Sequence, residues 1–191
     1  MNFFERPAAE LAPALLGCVL VSGQTAGTIV ETEAYLGLDD LAAHASRGRT
    51  ERTKVLFGPP GHAYVYFIYG LHQCLNVVAG REGEPGCVLI RALAPICGLD
   101  EMRRRREWQG PFCGLTNGPG KLTQALSITR ERYGQRLDRG DLSIRAWRKQ
   151  PEFTLRVSPR IGITQCVDWP LRFIWDGHPC VSKLPGRSAA K

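Results

Sequence analysis

Apolar and polar positions along the chain recur mainly with a period of two. CVLVSG (18–23) and GTIVETEAYLG (27–37) predict two strands around the Gly23–Gly27 turn. AYVYFIY (63–69), LNVVAG (75–80) and CVLIRAL (87–93) predict three more, the first two separated by Gly70 and the last entered through REGEPG. Residues 7–16 predict a helix, with Pro7 in its first turn and Gly17 as its stop. DEMRRRREW (100–108) and GPGKLTQALSI (118–128) predict two further helices, the second with Pro119 in its first turn. DLSIRAW, FTLRVSPRIGI and PLRFIWDG supply strand candidates in the last third. Residues 38–62 are polar and rich in Arg, Gly and Pro, which predicts a long loop with room for one short helix. Strands and helices do not alternate regularly, so a doubly wound parallel sheet is not expected. The expectation is an α+β chain forming a single domain over residues 1–191, on a mostly antiparallel sheet.

Within the second strand the pattern raises a chemical question. Alternate side chains share a face of a strand, which puts Glu31, Glu33 and Tyr35 on one side. A buried carboxylate without a partner is costly. That face is therefore solvated, or its acids are paired, or one is kept for chemistry. AYVYFIYG holds three of the five tyrosines of the chain. Tyr64 and Tyr66 share a face and Tyr69 falls on the other, just before Gly70. Such rings pack in cores. They also stack on bases, and a ring at a hairpin tip can wedge into a duplex.

Composition narrows the partners. A net charge of +7 fits an anionic partner, nucleic acid above all, although solubility alone accounts for such a charge equally well. RGRTERTK (47–54) and DEMRRRREW are the basic stretches, readable as phosphate contacts or as solvated surface. Seven cysteines, an odd number with no CxxC pair, predict reduced thiols rather than a disulfide framework or a zinc site. No apolar run approaches the length of a membrane span, and the first residues lack a basic leader region. A cytoplasmic protein of bacterial type associated with the nucleoid, or a nuclear one if eukaryotic, is expected.

Other chemistries find little support. GLTNGPGKL has the wrong spacing for a phosphate loop, with Leu122 where a magnesium site needs Ser or Thr. The four histidines show no metal-ligand spacing, and no GxSxG or kinase set occurs. Carboxylates, aromatics and arginines without metal or cofactor suit hydrolysis by an activated water, or simple binding.

An ordered set of motifs covers nearly the whole chain: ETEAYLG (31–37), AAHASRGRT (42–50), FGPPGHAYVYFIYG (57–70), CLNVV (74–78), CVLIRAL (87–93), NGPGKLTQAL (117–126) and SPRIGI (158–163). In this it resembles the alkyladenine (3-methyladenine) DNA glycosylase family. The resemblance implies a compact domain with a curved sheet and a protruding β-hairpin that enters the minor groove. It implies excision of alkylated or deaminated purines from double-stranded DNA by a monomer without cofactor. By motif position Glu33 is the general base, helped by Arg91 and the main-chain carbonyl of Ile161. Tyr35 faces His44 and Tyr66 across the base pocket, Asn76 forms the wall against guanine, and Tyr69 is the intercalating wedge. Arg49, Arg52, Lys121 and Arg160 are expected on the DNA backbone, and Glu31 is expected to be structural. Glu51 and Thr53 stand where members commonly carry Pro and Asn after RGRT, and Leu41 where bacterial members often have Pro. A non-catalytic nucleic-acid binding module with the same aromatic platform is the alternative.

Overall fold

The computed structural model describes residues 3–68, 72–146 and 152–182. Strands β1 (Val19–Ser22) and β2 (Thr25–Tyr35) form the first expected antiparallel pair, and β3 (Ala63–Ile68) and β4 (His72–Ala79) the second. The tip joining β3 to β4, with Tyr69, lies outside the described residues. β5 (Gly86–Cys97) continues past the expected end at residue 93. Pro95, which weakens the strand signal there, sits where β5 has β2 as neighbour but is no longer paired with β4, so its missing N–H is tolerated. β6 (Leu142–Arg145), β7 (Leu155–Ser158) and β8 (Arg172–Trp175) come from the three C-terminal candidates.

All pairings are antiparallel, in the order β3-β4-β5-β2-β1-β6. β1 occupies residues 25–28 of β2, while β8 pairs with residues 31–33 of the same strand and carries β7. Among the described residues these eight strands and three α-helices make one curled α+β domain, as expected. Three irregularities interrupt the β2–β5 ladder: Ile96 and Arg91 are extra on β5 and Val30 is extra on β2. Such bulges bend a strand and re-aim its side chains.

The helices are shorter than the sequence implies. α1 (Ala8–Ala14) buries Leu11 and Ala12, and the Thr32 hydroxyl donates to the Ala12 carbonyl at 2.8 Å. α2 (Leu99–Arg106) and α3 (Pro119–Ala125) pack together. The basic run on α2 is used inside the molecule. Arg105 donates to the Ala125 carbonyl at the end of α3, Arg106 bonds Gln124, Arg104 pairs with Glu101, and Arg103 donates to the carbonyls of Trp108 and Gly110. Cations at a helix C-terminus also suit its dipole. The main core joins α1, β2, β4 and β5 through Leu11, Leu15, Leu16, Ile29, Leu75, Ile90 and Leu93. The long loop forms two short turns, His44–Arg47 and Lys54–Phe57, which close a second cluster around Leu56, Tyr64, Val78 and Cys87. No helix among the described residues is long and apolar enough to cross a membrane.

One expectation is corrected. Cys113 and Cys180 form a disulfide across 67 residues of sequence. A single bridge between distant cysteines depends on where the fold brings them, which counting and spacing do not reveal. The other five cysteines are free thiols. Burial pushes the thiols of Cys18 and Cys74 up to about 11 and that of Cys87 to about 12, which makes them poor nucleophiles.

Gly37 ends β2 at a positive φ of 108°, and a Cβ there would overlap the Pro85 carbonyl. Gly37→Ala is expected to lower stability by at least about 1 kcal/mol, read as a lower urea midpoint at unchanged slope.

Candidate active site

Glu31 and Glu33 leave β2 on the same face, as the alternation predicts, and Arg91 reaches both from its bulge on β5. Its Nε donates to Glu31 Oε1 at 2.9 Å, and its Nη1 lies 3.2 Å from Glu33 Oε2. The bulge explains the geometry, since Arg91 has no residue opposite it and is free to turn out of the regular pleat.

The two acids then part ways. Glu31 is fully buried and saturated with donors: Arg172 Nε at 2.7 Å, the Ser182 N–H at 2.6 Å and the Ser182 hydroxyl at 2.8 Å, besides Arg91. Burial opposes its ionisation, but Arg91, Arg172 and Ser182 outweigh it and hold the carboxyl below the usual carboxylate range. Glu33 is equally buried, with weaker support. The Ile161 N–H donates to its Oε1 at 2.8 Å and the Tyr35 hydroxyl to its Oε2 at 3.1 Å. Burial dominates and pushes this carboxyl above the usual range, while Arg91, the Ile161 amide and Tyr35 partly restrain it and Glu31 adds to the rise. Their surroundings thus drive the two carboxyl groups in opposite directions.

Beside the groups that hold Glu33 opens a cavity of about 570 Å³. Tyr35, Arg91 and Ile161, the three residues that hold Glu33, all line it, and so do His44, Tyr66 and Asn76. Six of the seven catalytic and pocket positions expected from sequence thus line one cavity, and Glu33 is bonded to three of them without lining it itself. His44 packs edge-on to Tyr66 with ring centroids 4.5 Å apart, and its Nδ1 is 2.8 Å from the Tyr64 hydroxyl. Burial, aided by Arg52 and Arg47, lowers His44 to about 4, so its imidazole is neutral at neutral pH. The Asn76 side-chain amide donates to the Tyr64 carbonyl at 3.2 Å, which fixes its orientation on β4.

Details differ from expectation. The contact seen at Ile161 is its N–H on Glu33, whereas the sequence reading invoked its carbonyl. Arg49 and Arg52 are exposed, with Arg52 5.2 Å from the Tyr66 ring centroid. Lys121 is exposed and donates to Asn117 Oδ1 at 2.9 Å. The phosphate contact expected of Arg160 is corrected: its side chain has no exposed surface, because its guanidinium is clamped on the equally buried Asp40. Tyr69 lies outside the described residues. Sequence reasoning missed Asp40, Arg172, Ser182 and Tyr64 as supports. Arg172 left a trace as a charge inside the apolar run PLRFIW, and Tyr64 as a ring sharing a strand face with Tyr66.

The chain matches the methylpurine-DNA glycosylase family over residues 2–179 and belongs to that family. Curated relatives agree along their whole length. A protein of Methanoculleus marisnigri is 50% identical over 187 residues, covering 95% of this chain and 96% of its own. One from Oceanobacillus iheyensis is 46% identical over 190 residues, covering 95% and 94%. One from Bacillus cereus is 44% identical over 199 residues, covering 95% and 97%. All three are provisionally named 3-methyladenine DNA glycosylases.

Removing Glu31 strands the buried Arg172 and leaves Arg91 with Glu33 alone. Glu31→Ala is expected to cost about 3–5 kcal/mol by urea denaturation. Because the Glu31 carboxyl lies low in the folded state, its contribution is present above the unfolded carboxylate value and is lost as pH falls through the folded one. The difference between wild type and variant should therefore narrow in acid.

Proposed function

We propose that this glycosylase hydrolyses the N-glycosidic bond of a damaged purine swung out of duplex DNA, with Glu33 as the base that activates water. The observation that carries the reading is the triple support of Glu33 by Arg91, Tyr35 and Ile161, all of which line the aromatic cavity. The names of the relatives favour 3-methyladenine as a substrate, and 7-methylguanine, hypoxanthine and ethenoadenine have the same purine frame.

Extruding a nucleotide costs a few kcal/mol. Stacking between Tyr35 on one side and His44 with Tyr66 on the other offsets roughly 1–3 kcal/mol per contact. Tyr69, which falls in sequence between β3 and β4, fills the gap left in the duplex. Asn76 stands against the exocyclic amino group of guanine. Arg49, Arg52 and Lys121 meet phosphates, which positions the enzyme without reading sequence.

As the bond lengthens, positive charge grows on the deoxyribose, and the nearby carboxylate stabilises it. Glu33 accepts a proton from the attacking water, the water oxygen bonds C1′, and the base departs with the bonding pair. Arg91 keeps Glu33 ionised and aimed while Glu31 holds Arg91. No lysine is among the described residues lining the cavity, which favours water over an amine nucleophile and an abasic product in an uncut strand. The enzyme acts as a monomer on double-stranded DNA.

Glu33→Gln separates this reading from that of a binding module. The variant keeps its fold, because Arg91 retains Glu31, and it still binds lesion duplex. Base release should fall by about 10²–10⁴-fold. Undiminished release from a hypoxanthine duplex, with strand cutting scored separately, defeats the proposal.

The raised Glu33 carboxyl adds a pH signature. The base must be ionised, so activity falls as pH drops through its value. With 7-methylguanine, already cationic, the acid limb of kcat/KM should lie above 4.5, the ordinary glutamate value. A limb below that value contradicts the assignment.

A further inference from the structure

Arg160 does not line the cavity, yet it touches the groups that shape its catalytic corner. Its two terminal nitrogens bind the Asp40 carboxylate as a fork at 2.5 and 2.8 Å. One of them also donates to the Ala34 carbonyl at 3.0 Å, between Glu33 and Tyr35 on β2. The guanidinium carbon lies 4.7 Å from the Tyr35 ring centroid, so the cation backs that ring. The next residue is Ile161, whose N–H holds Glu33. Asp40 is fixed in turn by the N–H groups of Leu36 and Ala42, each at 3.1 Å. Both side chains of the pair are wholly buried. A buried ion pair adds little stability over apolar packing of the same volume, so stability alone does not account for it.

We propose that the Asp40–Arg160 pair is a positioning device for base excision: it braces the Tyr35 ring from behind and holds the Ile161 amide on Glu33. This rests on Glu33 as the base. Arg160 touches neither the substrate nor the attacking water and acts through Tyr35 and Ile161. Charged and titratable groups facing Glu33 are Glu31 and Tyr35 on its own strand, Arg91 from β5, Cys74 from β4, Arg172 opposite it on β8, and Arg160 itself. Loss of the Ile161 donor leaves the other groups in place and weakens the hold on the ionised carboxylate.

The test uses the full chain on one 7-methylguanine duplex, comparing wild type, Arg160→Lys and Glu33→Gln in single turnover at saturating enzyme. Lysine keeps the charge but loses the planar fork and the stacked face. The rate should fall on the order of 10- to 100-fold, as expected for slight misplacement of reacting groups. The acid limb of the pH profile should move to higher pH. The salt slope of duplex binding should not change, because no phosphate contact is lost.

A wild-type rate and acid limb with only a lower melting temperature would make the pair merely structural and overturn the inference. A reduced salt slope with unchanged rate would overturn it in favour of a phosphate contact. If Arg160→Lys does not fold, Asp40→Asn keeps the volume and removes the charge that clamps the arginine. A slower rate with a displaced limb in that variant supports the inference, and wild-type values overturn it. An active Glu33→Gln enzyme sinks the assignment of the base, whereas an inactive one beside an unaltered Arg160→Lys sinks only the positioning role.

Discussion

One arginine between two buried carboxylates governs this molecule. Neither acid is tolerable alone in the interior, since an unpaired buried charge costs far more than a surface one. Arg91 answers both, but unequally. Glu31 gathers Arg172 and Ser182 as well and stays firmly anionic, while Glu33 has only an amide and a phenol besides the shared guanidinium. The surplus of donors on Glu31 anchors Arg91 regardless of the protonation of Glu33. One carboxylate thus serves as a fixed counter-charge, while burial weighs most on the other.

The sheet is arranged to make this possible. β2 has β5 along one edge and both β1 and β8 along the other, so its acids lie in the middle of the fold. Extra residues at Val30 and Arg91 break the ladder where the charges meet. The loop that carries His44 and the segment that carries Ile161 then close over the same face, and the cavity lies between them.

Much of this could be read from the chain. Alternation placed Glu31 and Glu33 together, and the tyrosines singled out on β3 lie together beside the cavity. Helix ends were overestimated: Gly17 and Ile128 lie beyond the last regular turns of α1 and α3, where single turns replace helix. What could not be read was long-range. Asp40 meets Arg160 across 120 residues and Glu31 meets Ser182 across 151, and no local pattern encodes such pairings. The same holds for the Cys113–Cys180 bridge. Arg160 misled because an arginine beside SPRIGI is legible as a surface cation until the fold shows it enclosed.

The span of the Glu31 contacts bears on how the enzyme is made. Its partners arrive at residues 91, 172 and 182 as the chain leaves the ribosome. Closure over such separations is slow and comes late in folding. A nascent chain therefore carries Glu31 long before the groups that set its charge have emerged, and the buried ionic cluster stays incomplete until Ser182 docks.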